Sequence, residues 1–268
     1  MHDQKMAALI QQNFVCKVSY VPSKSAGMSV IETDEFVNVD CGLPADTFNI
    51  SVLLKDHTDA ERLLRETVEP FTVQNFPMSL WCWDNISDST RQAIMKHGLI
   101  LSEVNIGMYA YTSDLHPAME LPFGFSVRQV GSPMEVRQLG EALASLFEES
   151  MEGEYVRKYY ELLSESGLYK HSDLKLFIGL INDKVVCIGS AIYTENSVGV
   201  YDIATLPEQR NKGLGSAMFH YILAEIKRSY DGLCVLQASE AGANIYRRAG
   251  FQPVCNIAVF ENNNMLDL

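Results

Sequence analysis

The sequence lacks the features that define several protein classes. It has no run of about 18 apolar residues that could span a membrane, and its polar start, MHDQKMAALIQQNF, does not contain the apolar core of a signal peptide. The six cysteines are scattered without a C-x-x-C pair, so neither a zinc site nor a disulfide framework is predicted. The histidines show no metal-ligand spacing, and we expect no metal. These absences predict a cytoplasmic protein with reduced thiols and no membrane partner.

Basic residues are also scarce. The 268 residues include 34 acidic and 21 basic side chains, which gives a formal net charge of −13. An acidic protein repels phosphate backbones, so we expect no nucleic-acid partner. The same charge favours cationic small molecules or basic peptides. With 47% apolar residues, the composition is that of a globular protein, long enough for one large domain or two domains of about 130 residues.

One stretch, residues 198–216 (VGVYDIATLPEQRNKGLGS), carries the clearest signal. Its first half is β-branched and apolar and stops at Pro207, as a strand does. After the charged turn, apolar residues recur every four positions from Leu214 to Ile226 and predict one face of a helix. The order is therefore strand, basic turn and glycine-rich helix start.

This helix start is suited to an anion. A helix N-terminus exposes unpaired N–H groups and the positive end of the helix dipole. Gly213 and Gly215 allow a ligand to approach the backbone, and Arg210 and Lys212 add positive charge. The pattern predicts a phosphate or pyrophosphate site, while the spacing alone leaves a solvated surface turn open.

Two other phosphate motifs do not fit. The sequence has no G-x-x-x-x-G-K-[ST], so it has no P-loop. A dinucleotide-binding fingerprint would need a small residue at Met218. It would also need a tight turn, and the charged turn 208–212 is too long for one.

Two blocks together resemble the GNAT superfamily of N-acetyltransferases. The first is Arg210-x-x-Gly213-x-Gly215 after a strand ending in T-L-P-E, which matches the family's acyl-CoA signature. The second is LQAS at 236–239 followed by IYRRAGF at 245–251, which is similar to the family's last strand and "LYxxxGF" helix. The resemblance implies an α+β GNAT fold with a mixed sheet, and acetyl-CoA as co-substrate.

The N-terminal half resembles, less closely, the degenerate half of a two-part GNAT architecture. The resemblance lies in S-L-W-C-W-D, a helix ending in H-G-L, and G-M-Y-A-Y. Residues 1–115 contain no R-x-x-G-x-G turn, so this half is not expected to bind acyl-CoA. We predict a GNAT-like domain at 1–115, a proline-containing linker at 116–124 and a catalytic GNAT domain at 125–268. Within this half, the sequence predicts a short helix at 4–14 and a strand at 14–21.

The resemblance also implies positions for the co-substrate. A backbone amide near Ile203, Ala204 and Thr205 would polarise the thioester carbonyl, and this backbone would pair with the pantetheine arm. Ser239 and Asn244 would contact the pantetheine or the adenosine, although helix capping explains Ser239 equally well. The pyrophosphate would be held by the turn and helix start, at Arg210, Asn211, Lys212, Gly213, Leu214, Gly215 and Ser216.

The proton transfers are less well defined. Tyr246 matches the family's general acid, and its alternative role is to pack its helix on the sheet. Some relatives carry a glutamate where this chain has Gly199, so the general base is not identified. A water chain would serve, and the carboxylate candidates are Asp202, Glu148, Glu149, Glu152 and Glu154.

These features predict an acetyl-CoA-dependent N-acetyltransferase. The acceptor would be a primary amine of a small molecule or peptide, which attacks directly in a ternary complex. Gly199 motivates the alternative of a non-catalytic acyl-CoA-binding sensor or scaffold, and a longer acyl or aminoacyl donor is a third reading. The partners are acetyl-CoA and the acceptor, and the chain could form a homodimer.

Overall fold

The computed structural model describes residues 2–56, 59–84, 86–118, 120–147 and 150–266. The chain divides into two compact units. Unit 1 comprises Met1–Gly107 and Val254–Leu268, and unit 2 comprises Met108–Pro253. No helix in the described ranges is long and apolar enough to cross a membrane.

The described residues form helices and strands of a mixed sheet. The helices are α1 His2–Ser19, α2 Ala60–Thr67, α3 Glu69–Thr72, α4 Asp88–Lys96, α5 Pro133–Ala144, α6 Met151–Ser166, α7 Leu214–Ser229 and α8 Ala243–Arg248. The strands are β1 Ser29–Glu32, β2 Phe36–Asp40, β3 Ile50–Leu53, β4 Ser79–Trp83, β5 Ile100–Tyr111, β6 Phe125–Gln129, β7 Leu174–Ile181, β8 Lys184–Tyr193, β9 Val198–Thr205, β10 Leu233–Ala238 and β11 Gln252–Glu261.

Unit 1 has the strand order β1-β2-β3-β4-β11-β5, to which β5 contributes its first residues. β1, β2 and β3 are antiparallel neighbours, whereas β3 and β4 are parallel. The core packs Leu63 and Leu64 of α2 and Phe71 of α3 against Leu80 of β4 and Phe260 of β11. Burial of these side chains is what holds the helices on the sheet.

The first helix is longer than the sequence predicted. Residues 14–21 were expected to form a strand, but α1 continues to Ser19. Ile10, Phe14 and Val18 are all buried and lie four residues apart, on one helical face. The Phe14 ring packs on Trp81, with ring centroids 4.3 Å apart. Packing of this face therefore overrides the local β-propensity of the aromatic and β-branched residues.

The division into units differs from the predicted domain boundaries. β11 lies with unit 1 because it pairs antiparallel with β4, from Ile257 opposite Trp83 to Glu261 opposite Ser79. Residues 108–124, which include the predicted linker, lie in unit 2. There the His116 N–H donates to the Ala249 carbonyl at 3.1 Å. The sequence pattern indicates that 254–260 is a strand but does not specify its partner.

Unit 2 has the strand order β5-β10-β9-β8-β7-β6, with the last residues of β5 at its edge. β6 to β9 are antiparallel neighbours, and β9 is parallel to β10. Asn182-Asp183 between two apolar runs predicts a hairpin turn, and β7 and β8 form this hairpin. Asn182 and Asp183 have φ of 50° and 62°, as a two-residue turn of this kind requires.

Candidate active site

The sheet of unit 2 opens between its two parallel central strands. β9 and β10 pair through Val198 with Cys234 and Gly199 with Val235, at the start of both strands. Both strands are fully described, and beyond these pairs they continue to Thr205 and Ala238 without pairing to each other. The carboxyl end of β9, with Ile203, Ala204 and Thr205, therefore borders a gap where an extended ligand could pair with the backbone.

A β-bulge lies on the opened part of β9. Ile188 of β8 opposes Ala204 and Ser190 opposes Tyr201, so Asp202 and Ile203 together face Gly189. Asp202 has a φ of 55°. Because a bulge bends its strand and increases its twist, it accounts for the divergence of β9 from β10 over the same residues.

Gly189 allows this bulge to pack. A Cβ at position 189 would lie 2.8 Å from Cδ1 of Ile203 and 2.8 Å from Cδ1 of Ile222. The bulge residue Ile203 therefore lies against α7, the helix that follows the basic turn. Only glycine leaves room for this contact.

The basic turn, residues 208–212, leads directly into helix α7. Asn211 and Gly213 both have left-handed backbones, with φ of 62° and 77°. Gly213 is the N-cap of α7, and no side chain in the described part of the chain caps the helix. The first N–H groups of α7 therefore have no side-chain acceptor, which is the arrangement that binds anions at helix starts.

Arg210 and Lys212 are exposed and bond to the turn itself. Arg210 Nε donates to the Thr205 carbonyl at 3.3 Å. Lys212 Nζ donates to the Glu208 carbonyl at 3.2 Å and to Gln209 Oε1 at 2.9 Å. These bonds hold two positive charges at the start of α7.

The first turn of α7 packs directly on the end of β9. A Cβ at Gly215 would lie 3.2 Å from Thr205 Oγ1, so the two backbones approach closely. Leu214 is buried and anchors the helix start. Thr205 Oγ1 also lies 3.3 Å from Cys187 Sγ. Burial raises the pKa of that thiol to about 11, which keeps it neutral.

Tyr246 of α8 lies against α7. Its ring packs edge-on to Phe219, with centroids 4.8 Å apart, and Phe219 is about 7.5 Å along the helix axis from Leu214 at 1.5 Å per residue. Among the described residues its hydroxyl makes no hydrogen bond. Burial raises the pKa of Tyr246 above its ordinary value of 10.0, so the phenol is protonated at neutral pH. The ring packs on α7, and the O–H remains available to donate.

Ser239 and Asn244 have local partners. Ser239 Oγ accepts the Gly242 N–H at 3.3 Å, and the Ser239 carbonyl accepts from Gly242 and Ala243. Capping of the turn before α8 therefore accounts for Ser239. Asn244 Oδ1 accepts from Arg247 Nη1 at 3.0 Å. Contacts of these two side chains with a ligand stay predictions.

Asp202 is the one described carboxylate candidate that lies on the opened strand. It accepts a hydrogen bond from Ser190 Oγ at 2.6 Å. Burial first, and then the Asp202 charge, raise the pKa of Tyr160 well above its usual range. The Asp202 charge therefore acts on Tyr160 of α6.

The other acidic candidates lie elsewhere. Glu152 and Glu154 occupy the first turn of α6, where carboxylates stabilise the helix dipole. The Glu154 charge also helps to raise the pKa of Arg157, after the larger effect of the Glu141 hydrogen bond. Glu148 and Glu149 lie outside the described residues. Within those residues no group of three or more His, Cys, Asp or Glu could hold a metal ion.

One polar residue beside the opening was missed. Gln237 lies on β10 beyond its last pair with β9, and its Nε2 is buried without a hydrogen-bond partner among the described residues. Its signal was a single amide within the apolar run LCVLQA. Buried unpaired donors are uncommon, so Gln237 is an unusual residue in this strand.

Comparisons with known proteins agree with this geometry. Residues 172–253 match the family model described as the acetyltransferase (GNAT) domain. This range contains β7 to β10, α7 and α8. None of the curated proteins compared with the chain matches it.

Solved structures share the fold over nearly the whole chain. A GCN5-related N-acetyltransferase from Kribbella flavida is 16% identical, with a TM-score of 0.67 over 96% of this chain and 95% of that one. A GCN5-related N-acetyltransferase from Sphaerobacter thermophilus is 14% identical, with a TM-score of 0.56 over 87% and 81%. A tandem GNAT protein from the clavulanic acid biosynthesis pathway is 11% identical, with a TM-score of 0.57 over 92% and 87%.

These findings define the class of protein. The chain shares the fold of these GNAT proteins, a mixed α/β sheet with helices, as expected. Residues 172–253, within unit 2, carry a GNAT acetyltransferase domain.

Proposed function

We propose that the chain transfers an acetyl group from acetyl-CoA to a primary amine of a small molecule or peptide. The observation that supports this is the continuity between the opening of β9 and β10 and the uncapped start of α7. An extended pantetheine arm suits the unpaired edge of β9. A pyrophosphate suits the helix start with its two cationic side chains.

Donor binding would be shared among several weak contacts. One helix-end interaction contributes about 0.3–1 kcal/mol, so the affinity needs the N–H groups of the turn and of α7 together. Asn211 and Gly213 orient these groups through their left-handed backbones. Gly215 allows close approach.

Acetyl-CoA supplies the acetyl thioester. In the proposed reaction the amine nitrogen bonds to the acetyl carbon, the carbon–sulfur bond breaks, and the CoA sulfur takes a proton. A backbone N–H near Ile203 to Thr205 would polarise the carbonyl. Tyr246 would donate the proton, because its raised pKa keeps the phenol protonated until the sulfur develops charge.

The acceptor must also lose a proton. An alkyl ammonium has a pKa of about 10.4, so the reactive free amine is scarce at neutral pH. We assign this proton to Asp202, directly or through water, because it is the described candidate on the opened strand and is held by Ser190. The Asp202 charge would also attract the ammonium form.

A non-catalytic acyl-CoA sensor is the second candidate function. Gly199 supports it, because the last residue of β9 to pair with β10 offers no carboxylate. The two functions separate when the protein is given acetyl-CoA and a panel of primary amines, with thiol release as the readout. An acetyltransferase releases CoA in proportion to amine, whereas a sensor binds acetyl-CoA in calorimetry and releases none. Faster CoA release from a longer acyl-CoA than from acetyl-CoA would instead identify the longer acyl-CoA as the donor.

A further inference from the structure

Unit 1 contains a cavity of about 400 Å³. It lies where β3 and β4 end and is lined by Leu54 after β3, Trp83 at the end of β4, Val254 of β11 and Ala7 of α1. Its size falls in the range of small-molecule sites, which is about 300–1,000 Å³. The function proposed for unit 2 does not use it.

Trp83 contributes its ring to the cavity wall. Trp83 is only 3% exposed, and its Nε1 has no hydrogen-bond partner among the described residues. The neighbouring Trp81 differs, because its Nε1 donates to Ser79 Oγ at 3.0 Å. The Trp83 nitrogen is itself inaccessible to solvent, so the indole presents carbon atoms to the cavity and makes its wall apolar.

The charged groups that line the cavity are both acidic. They are Asp3 in the first turn of α1 and Asp84 after β4. Asp84 Oδ2 accepts the Asn256 N–H at 2.6 Å, which fixes the carboxylate, and Arg91 is 3.9 Å from its other oxygen. Burial first, and then the Asp84 charge, raise the pKa of the lining Cys255 to about 12. The cavity therefore combines apolar walls with negative charge.

We propose that this cavity binds a small organic cation with an apolar body. The ammonium would lie at Asp84 and Asp3, and the apolar body would pack on the Trp83 ring. An anionic acyl-CoA is not the expected occupant, since negative charge lines the cavity and the nearby start of α2 is capped by Asp59.

Intrinsic fluorescence tests the proposal, because the two tryptophans of the chain, Trp81 and Trp83, both lie in unit 1. The probe is 4-methoxyphenethylamine, and its neutral counterpart is 4-methoxyphenethyl alcohol. We expect the amine to bind at least tenfold more tightly, and Asp84→Asn to remove most of this preference. The matched control is Asp88→Asn, which removes an exposed charge that does not line the cavity. Equal affinities for the amine and the alcohol would overturn the proposal. So would the absence of a saturable change in fluorescence at millimolar amine.

Trp83→Ala tests the apolar wall, with Trp81 as the remaining fluorophore. We expect the variant to bind 4-methoxyphenethylamine several-fold more weakly than wild type, because the cavity loses the indole ring that packs on the apolar body. Ala7→Leu should fill the cavity and abolish binding while keeping a good helix former in α1. Unchanged binding in a folded Ala7→Leu protein, judged by its thermal transition, would contradict the assignment.

Discussion

The two units differ in how far their parallel strands pair with each other. In unit 1, β3 and β4 pair from Ile50 opposite Ser79 to Leu53 opposite Cys82, so the ladder runs to the end of β3. In unit 2, β9 and β10 pair only at their starts. The ladder between parallel strands is closed in unit 1 and open in unit 2, so an extended ligand can enter between parallel strands in unit 2 but not between β3 and β4.

The helix starts differ in the same sense. In unit 1, Asp59 accepts the Arg62 N–H at the start of α2. Asp56 accepts from Thr90 Oγ1 at 2.6 Å in the first turn of α4. In unit 2, α7 starts at Gly213 with no side-chain cap. A carboxylate of the chain itself thus caps α2 in unit 1, where α7 of unit 2 starts at a glycine. We therefore expect the start of α2 to bind an anion less well than the start of α7.

The largest expected effect comes from closing the open site. Gly215→Trp places a large side chain where a Cβ already lies 3.2 Å from Thr205 Oγ1. We expect acetyl-CoA binding to weaken by at least about 100-fold, about 2.7 kcal/mol, in calorimetry. Met134→Trp on α5, where Met134 is 63% exposed, is the control for adding an indole. Unchanged affinity in a folded Gly215→Trp protein would place the donor elsewhere.

Tyr246→Phe separates binding from chemistry in the open unit. We expect unchanged acetyl-CoA affinity and a kcat lower by about 100-fold, the lower end of the range for acid–base groups. Tyr221→Phe is the matched control, because Tyr221 of α7 also packs edge-on to a phenylalanine, Phe177. Since burial raises the pKa of Tyr246 above 10.0, its deprotonation should lower kcat only above that pH. Equal kcat for wild type and Tyr246→Phe would remove the tyrosine from the mechanism.

Asp202→Asn tests the proton acceptor on the bulge. Removing the carboxylate should lower kcat/KM for the amine by about 10- to 100-fold, with the smaller loss at high pH where free amine is plentiful. Asp183→Asn is the control, because Asp183 also has a positive φ and asparagine tolerates that conformation. A pH-independent loss would indicate a structural role for Asp202 instead.

The smallest effect concerns the closed unit. Asp59→Ala removes the α2 cap and should lower the free energy of unfolding by about 1 kcal/mol, measured by urea denaturation. Asp34→Ala, which removes the exposed ion pair with Lys55, should change it less. Acetyl-CoA binding should not appear in unit 1 of Asp59→Ala, because β3 and β4 stay paired. A gain of a second site would show that capping alone closes unit 1.

Local patterns predicted the local structure of the candidate site well. The hairpin of β7 and β8, the end of β9 before Pro207 and the start of α7 at Leu214 all follow from turn chemistry and periodicity. Long-range features did not follow. The pairing of β11 with β4 and the bulge at Asp202 depend on which strands become neighbours, which no single segment encodes.

The same limit explains what was missed in unit 1. Residues 14–19 are helical, although their local β-propensity predicts a strand. The contact of Phe14 with Trp81, which favours the helix, joins residues that are distant in sequence and cannot be read from the segment itself. The cavity has lining residues from four separate segments, including Ala7, Leu54, Trp83 and Val254, and none of them forms a motif. Gln237 showed only an isolated amide in an apolar strand.

Calorimetric titration of the wild-type chain with acetyl-CoA tests the contrast between the units most directly. An open, uncapped site in unit 2 and a closed, self-capped counterpart in unit 1 predict saturable binding at one acetyl-CoA per chain. Two acetyl-CoA per chain, or no binding at all, would contradict it.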